Sequence, residues 1–339
     1  MMQKATLSVF ATLIGTSGVG IVGANLLLLL LFAFHMKLRT DTWALSLNLS
    51  ICDLTFGIAV IPVAVYNSLS GGGIFSEDGT ACHLMGFLFV LLHLASLNSL
   101  VCATIDKFTE ICFPLRYPQL ITKRRIWIIL ALVWIYAAVV ASFPFMGFGK
   151  YAFSTDVYIC LPYFGSSTTV YSVLFLSVGV LGPITLISVL YIAIIQIARH
   201  QARRGTFVCN DQHCYYVPIR SYFKNTVILV VSAFYLVVCW VPMVIIGFYE
   251  TFHSHDIPAM AKMVCTWLVV MMSGLNPWIN SLAQRKYRKA LRESWRKLKR
   301  IFENMGTSNE PTSENDRHSS TIQSHQCLPG NNTANSAQT

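Results

Sequence analysis

The sequence predicts an all-α membrane protein, a seven-transmembrane helix bundle followed by an amphipathic eighth helix on the cytoplasmic surface. Three observations lead there. Asp, Glu, Lys and Arg make up 12% of the 339 residues and apolar types 54%, whereas a soluble protein carries about 25% charged residues. The apolar residues gather into seven runs, each near the ~20 residues that cross a hydrocarbon core. The basic residues, finally, crowd into alternate connections between those runs.

The runs extend from Phe10 to His35, Trp43 to Leu69, Cys82 to Ile105, Ile126 to Phe148, Val170 to Ile197, Thr226 to Tyr249 and Ala261 to Ala283. Lipid offers no partner to bare backbone N–H and C=O groups, so runs this long must be helices rather than open strands. The first is too long for a signal-peptide core and lacks a small-residue cleavage site, so it is a retained helix. The chain divides accordingly into an extracellular N-terminus (1–9), the bundle (10–283), a surface helix (284–302) and a disordered cytoplasmic tail (303–339).

Cytoplasmic loops hold an excess of Lys and Arg. With the N-terminus outside, 22 of the 25 basic residues fall on the cytoplasmic side, leaving Lys4, Lys150 and Lys262 outside. The net charge of +10 is therefore a topology signal, and it does not point to nucleic acid. The two Asn-x-Ser/Thr matches, at Asn48 and Asn331, lie in a helix and in the tail, so neither is a glycosylation site in this topology.

Beyond the seventh run, Tyr287, Ala290, Leu291, Trp295, Leu298, Ile301 and Phe302 recur at helical spacing with Lys and Arg between them. That pattern suits a helix lying on a membrane, its basic face against anionic lipid; a soluble helix awaiting a partner is the alternative. The tail is rich in Ser, Thr, Asn and Gln and too polar to build a core. Of ten cysteines, Cys82 and Cys160 alone reach the extracellular side, where oxidising conditions would pair them. Cys209 and Cys214 enclose His213 in a cytoplasmic loop, an incomplete zinc set that reads more simply as reduced thiols.

Seven helices also suit a transporter, a channel or a membrane hydrolase, each of which needs polar groups inside the membrane. Asp53 is the one acid deep in a helix, and no inverted repeat is evident. The landmarks instead run one per helix: Gly23-Ala24-Asn25; Leu49-Ser50-Ile51-Cys52-Asp53 with Pro62; Cys82 and Asp106-Lys107-Phe108; Trp134 with Pro144; Pro183 with Tyr191; Cys239-Trp240-Val241-Pro242; and Asn276-Pro277-Trp278-Ile279-Asn280. In order and spacing, from Gly20 to about Phe302, they resemble the rhodopsin-like (class A) G-protein-coupled receptors. The short head and the Gly57 to Pro62 stretch further resemble the adenosine and glucose-dependent insulinotropic receptor branch.

The resemblance implies roles for particular residues. Asp53, Ser96, Ser273 and Asn276, with Trp240 above them, match the family's sodium pocket, in which the cation offsets a buried charge and favours the inactive state. An ion-free hydrogen-bonded cluster is the alternative. Pro183, Pro242 and Pro277 each remove a backbone bond and so predict kinks in helices five, six and seven. Asp106, Lys107, Phe108, Tyr191 and Asn280 match positions that couple to a heterotrimeric G protein, with arrestin as a further partner. Two of these depart from the family pattern: Lys107 stands where Arg is usual, without its bidentate fork, and Asn280 replaces a Tyr. Tyr222 stands where some members place an acid that locks the third helix.

The same landmarks map a ligand pocket onto Phe89, Val90, His93, Phe175, Leu176, Trp240, Met243, Val244, Thr266 and Val269. Phe89 takes the place of the Asp that binds ammonium in amine receptors, Val270 that of the retinal-binding Lys, and Gly247 that of the adenosine receptors' Asn. Such a lining suits an uncharged or lipid-like small molecule oriented by few polar groups, with His93 either one of those groups or a structural hydrogen-bonder. Two functions follow from the resemblance: a receptor that activates a G protein, or a receptor fold with weak or no coupling that acts as a decoy or dimer partner. Neither is an enzyme.

Overall fold

The computed structural model describes the backbone of residues 2–39, 42–70, 79–204, 207–210, 213–216, 219–253, 257–282 and 284–307. Within these, the side chains of 2–5, 198, 201–227, 229, 280, 298 and 301–307 lie outside the description. Seven helices among the described residues are long and apolar enough to cross a membrane.

The first helix, α1, is Met2–Phe34. The second, α2, runs Trp43–Ala59 and resumes at Ile61–Ser70; Pro62 has no N–H to donate, and the break falls just before it. Next come α3, Thr80–Cys112, and α4, Lys123–Ser142, capped by the Thr122 side chain and ending in a 3₁₀ turn, Phe143–Met146, with Pro144 as its second residue. Helix α5 opens at Thr169–Leu174, widens into a π-helical stretch over Phe175–Leu181 and continues through Gly182–Arg204. Helix α6 is Ile219–Phe252. Helix α7 is Ala259–Asn276, followed by a π-helical stretch, Pro277–Leu282, and α8 is Arg285–Thr307.

The three prolines therefore act differently. At Pro183 and Pro277 the helix changes to π-helical winding beside the missing donor, a known response to an interrupted ladder. Pro242 sits inside an unbroken α6. The last turn of α8 occupies residues up to Thr307 that composition alone would assign to the tail, and the chain beyond lies outside the described residues.

Two hairpins add strands that the apolar pattern does not predict. One pairs β1 (Tyr151–Ser154) with β2 (Ile159–Pro162), Phe153 opposite Cys160. The other pairs β3 (Phe207–Asn210) with β4 (His213–Tyr216) and sets Cys209 opposite Cys214; their side chains, with His213, are outside the description.

Helix α3 is the centre of the bundle: 67% of its apolar window is buried, against 28% for α4 at the rim. It packs on α2, α4 and α5, while α1 closes the ring against α2 and α7. Apolar side chains such as Val19, Ile135 and Val139 face outward, which in lipid costs nothing. At the start of α8, Tyr287 and Ala290 pack with Leu28, Leu31 and Phe32 of α1, and the Tyr287 ring meets Phe32 edge-on at 5.8 Å.

Candidate functional site

Three groups of residues lie along the bundle. In the middle, Asp53 is 1% exposed, and a carboxylate so placed requires donors. Ser96 Oγ donates to its Oδ1 at 3.1 Å and Asn276 Nδ2 to its Oδ2 at 2.9 Å, with a further bond from the Ser273 side chain. Asn276 Oδ1 accepts from the Tyr235 hydroxyl. Asn25 Nδ2 donates to Ser273 O at 3.1 Å, tying α1 to the same layer. Four of the five sodium-pocket candidates thus converge. Trp240 does not join them: its indole N–H donates to Met272 Sδ. Tyr235 was not foreseen, because one phenol among the aromatics of an apolar helix carries no signal of its own.

Toward the β1–β2 end, Phe89, Phe175, Leu176, Trp240, Met243, Val244, Thr266 and Val269 line a cavity of about 20 Å³ together with Pro162 and Phe164 of the hairpin segment. Two further expected residues are not among the lining. Val90 is fully buried, and His93 is turned into the wall, Nδ1 2.8 Å from Phe89 O. Its ring stacks on Phe89 at 4.3 Å and meets Phe56 at 4.5 Å and Trp240 at 5.7 Å. The i, i+4 bond ties Nδ1 to the backbone of its own helix. Pro162 and Phe164 escaped the sequence reading because no spacing along the helices locates a connecting loop.

The disulfide Cys82–Cys160 joins α3 to β2, with S–S 2.07 Å and Cα–Cα 5.3 Å. It holds the hairpin over this end of the bundle. Between the strands Tyr158 takes a left-handed backbone, φ 54°, a conformation that costs a non-glycine residue roughly 1–2 kcal/mol. Its N–H donates to Ser154 O at 2.8 Å, and Phe153 meets its ring edge-on at 5.8 Å.

At the opposite end the coupling candidates are dispersed. Asp106 accepts from the Tyr117 hydroxyl at 2.8 Å. Burial, then this bond to Asp106, pushes the Tyr117 phenol above its ordinary range. Lys107 pairs instead with Glu110, 3.1 Å away on the next turn. Tyr191, on α5, is buried and accepts from Thr104 Oγ1 at 3.3 Å. Phe108 packs partly buried, its ring 6.2 Å from Phe113. The side chains of Asn280 and Tyr222 lie outside the described residues.

A seven-helix bundle that carries a buried carboxylate layer beneath an apolar cavity, with a disulfide holding a hairpin over that cavity, defines a seven-transmembrane receptor. The family model described as "7 transmembrane receptor (rhodopsin family)" matches residues 24–279, and the chain belongs to that family. It is a multi-pass membrane protein of a family of receptors, not of enzymes. Relatives include the Gq-coupled rhodopsin of Mizuhopecten yessoensis, 27% identical over 84% of this chain and 58% of its own length. The histamine H2 receptor of Cavia porcellus is 28% identical over 79% of this chain and 74% of its own. The adenosine receptor A3 of Ovis aries is 25% identical over 81% and 84%. This chain therefore spans little more than half of the rhodopsin and about three quarters or more of the other two. In fold it is similar to the crystal structure of squid rhodopsin, with TM-score 0.70, 20% identity and 87% of each chain covered.

Proposed function

We propose that this chain is a receptor that binds a small, uncharged or lipid-like ligand in the apolar cavity and activates a heterotrimeric G protein from its Lys107 end. One observation carries the reading: Trp240 lines the cavity and donates to Met272, the residue next to Ser273 of the Asp53 layer. A ligand that moves the indole therefore reaches the buried carboxylate through one neighbour, and a ligand shifts an equilibrium by its different affinity for the two states. Phe89 in the cavity wall supplies no anchor for an ammonium group at that depth.

In this reading the N-terminus is extracellular and the tail cytoplasmic, in the cell membrane, with α8 against membrane lipids and arrestin as a further partner. Asp53, Ser96 and Ser273 present hard oxygen ligands of the kind that suit such cations, and a sodium ion among them acts as an allosteric ligand favouring the inactive arrangement. A second reading, a receptor fold that couples weakly and serves as a decoy or dimer partner, is favoured by the Lys107–Glu110 pair and by Asn280. The experiment is a ligand screen read by nucleotide exchange on a G-protein panel, with the full chain in membranes. Neutral amphiphiles are expected to stimulate exchange several-fold. Stimulation by charged amines alone would overturn the ligand reading, and silence throughout would leave the decoy.

A further inference from the structure

Above the inner cavity, toward the hairpin, lies a larger one of about 280 Å³. Its wall includes Thr155 and Asp156 from the β1–β2 turn, Glu250 near the end of α6 and Lys262 near the start of α7. Pro162, Phe164, Met243 and Thr266 line both cavities, so these four side chains form the partition between them. We infer that the outer cavity is a second compartment of the same ligand site, built for the polar head of an elongated amphipathic molecule whose head carries no negative charge. The inference rests on the ligand reading above.

Volume is the first argument. The inner cavity, at about 20 Å³, holds little more than a water molecule, which needs about 10–15 Å³. Small-molecule sites occupy roughly 300–1,000 Å³, and the two cavities, 20 and 280 Å³, together come to about 300 Å³. Phe164 is a single ring stacked on Phe175 at 6.2 Å, and it comes from a connecting segment rather than a helix. It fits there because Gly247 leaves room: a methyl group on Gly247 would lie 2.8 Å from Leu176 Cδ1 and 3.3 Å from Phe164 Cδ2.

Charge is the second argument. Lys262 Nζ lies 3.1 Å from Asp156 Oδ2 and 3.0 Å from Glu250 Oε1. Among the described lining residues, two carboxylates against one ammonium leave an excess negative charge. An arriving carboxylate would have to pull Lys262 from its partners and leave two acids unpaired beside a third, and stranded charges are costly. A hydroxyl, amide or amine donates to the carboxylates with both bridges intact. The inner wall offers Thr266 as its one hydroxyl among apolar side chains, so it takes the tail.

The test uses three probes with one tail: phenylhexanol, phenylhexylamine and phenylhexanoate. The full chain in lipid nanodiscs carries a reporter thiol in the outer compartment (Thr155→Cys) or the inner one (Val244→Cys), labelled with methyl methanethiosulfonate against the parent chain as background. The alcohol and the amine are expected to slow labelling several-fold at both positions, and the carboxylate at neither. Asp156→Asn with Glu250→Gln frees Lys262 and should reverse the choice, so that the carboxylate protects. Phe164→Leu, which shortens the partition, should speed labelling at position 244 without any probe. Slowing at one position alone, equal slowing by the carboxylate, no slowing by any probe, or no reversal in the double variant would overturn the inference. Labelling does not depend on a G protein, so failed coupling leaves these outcomes untouched and shows itself in nucleotide exchange alone.

Discussion

The Asp53 layer and the Asp106–Lys107 end each bury an acid among hydrogen-bond donors, yet only the second sets an exposed ion pair beside it. Asp53 is surrounded by donors from α3 and α7, and its last neighbour, Asn276, is itself held by Tyr235 of α6. At the other end neighbouring charges take separate partners: Asp106, itself 4% exposed, accepts from Tyr117 and Thr42, whereas Lys107 takes Glu110, those two side chains 39% and 52% exposed. Burial separates the Lys107–Glu110 pair from both acids. A charge removed from water must find its donors at one set of positions, whereas an exposed pair gains about 0–1 kcal/mol and can exchange partners freely. The layer is therefore fixed by the fold, whereas the Lys107–Glu110 pair can re-form with other partners.

Deletions at each place sharpen or break that contrast, with the disulfide as the upper mark. Cys82→Ser should cost about 2–5 kcal/mol and leave little protein at the cell surface, measured by surface labelling. Normal surface levels would mean that the hairpin is held by packing alone. Asn276→Ala removes one donor from Asp53 and the acceptor of Tyr235, and should cost about 3 kcal/mol, at the upper end for a buried group left unpaired and more because one is charged; thermal unfolding in detergent measures it. If sodium occupies the layer, agonist affinity falls several-fold as sodium replaces a large organic cation, and Asp53→Asn abolishes that dependence; equal affinity in both media would rule the ion out. Glu110→Ala should cost under about 1 kcal/mol. A melting shift as large as that of Asn276→Ala would erase the distinction between the two regions.

The same physics decides what was legible in the sequence. The seven helices were, because lipid enforces long apolar runs, and so was the convergence of Asp53, Ser96, Ser273 and Asn276, because fixed landmarks on helices translate directly into space. The β1–β2 hairpin was not. Its strands are four residues each, and Tyr158 occupies the left-handed position where a Gly or Asn would have announced a turn. With the hairpin went Phe164, Asp156 and the outer cavity. The resemblance maps His93 onto the pocket or leaves it a structural hydrogen-bonder, and its bond to Phe89 O reflects a choice of rotamer that no landmark reveals. The partner of Lys107 was legible in spacing alone, since Glu110 shares its helix face at i, i+3 and the adjacent Asp106 does not.

The proposed coupling to a G protein would run through the Lys107 end despite the two residues there that depart from the pattern the sequence resembles. Tyr191 is present and buried, while Lys107 lacks the fork of Arg and Asn280 is too short to replace a phenol. Each hydrogen bond lost from the active arrangement is worth roughly 1 kcal/mol, and 1.4 kcal/mol is about a tenfold shift in an equilibrium. The direct measurement is basal nucleotide exchange by the parent and by the double variant Lys107→Arg with Asn280→Tyr, at matched surface expression. The account predicts low exchange in the parent and a several-fold rise in the double variant. Exchange that stays at the level of untransfected membranes in both would contradict it.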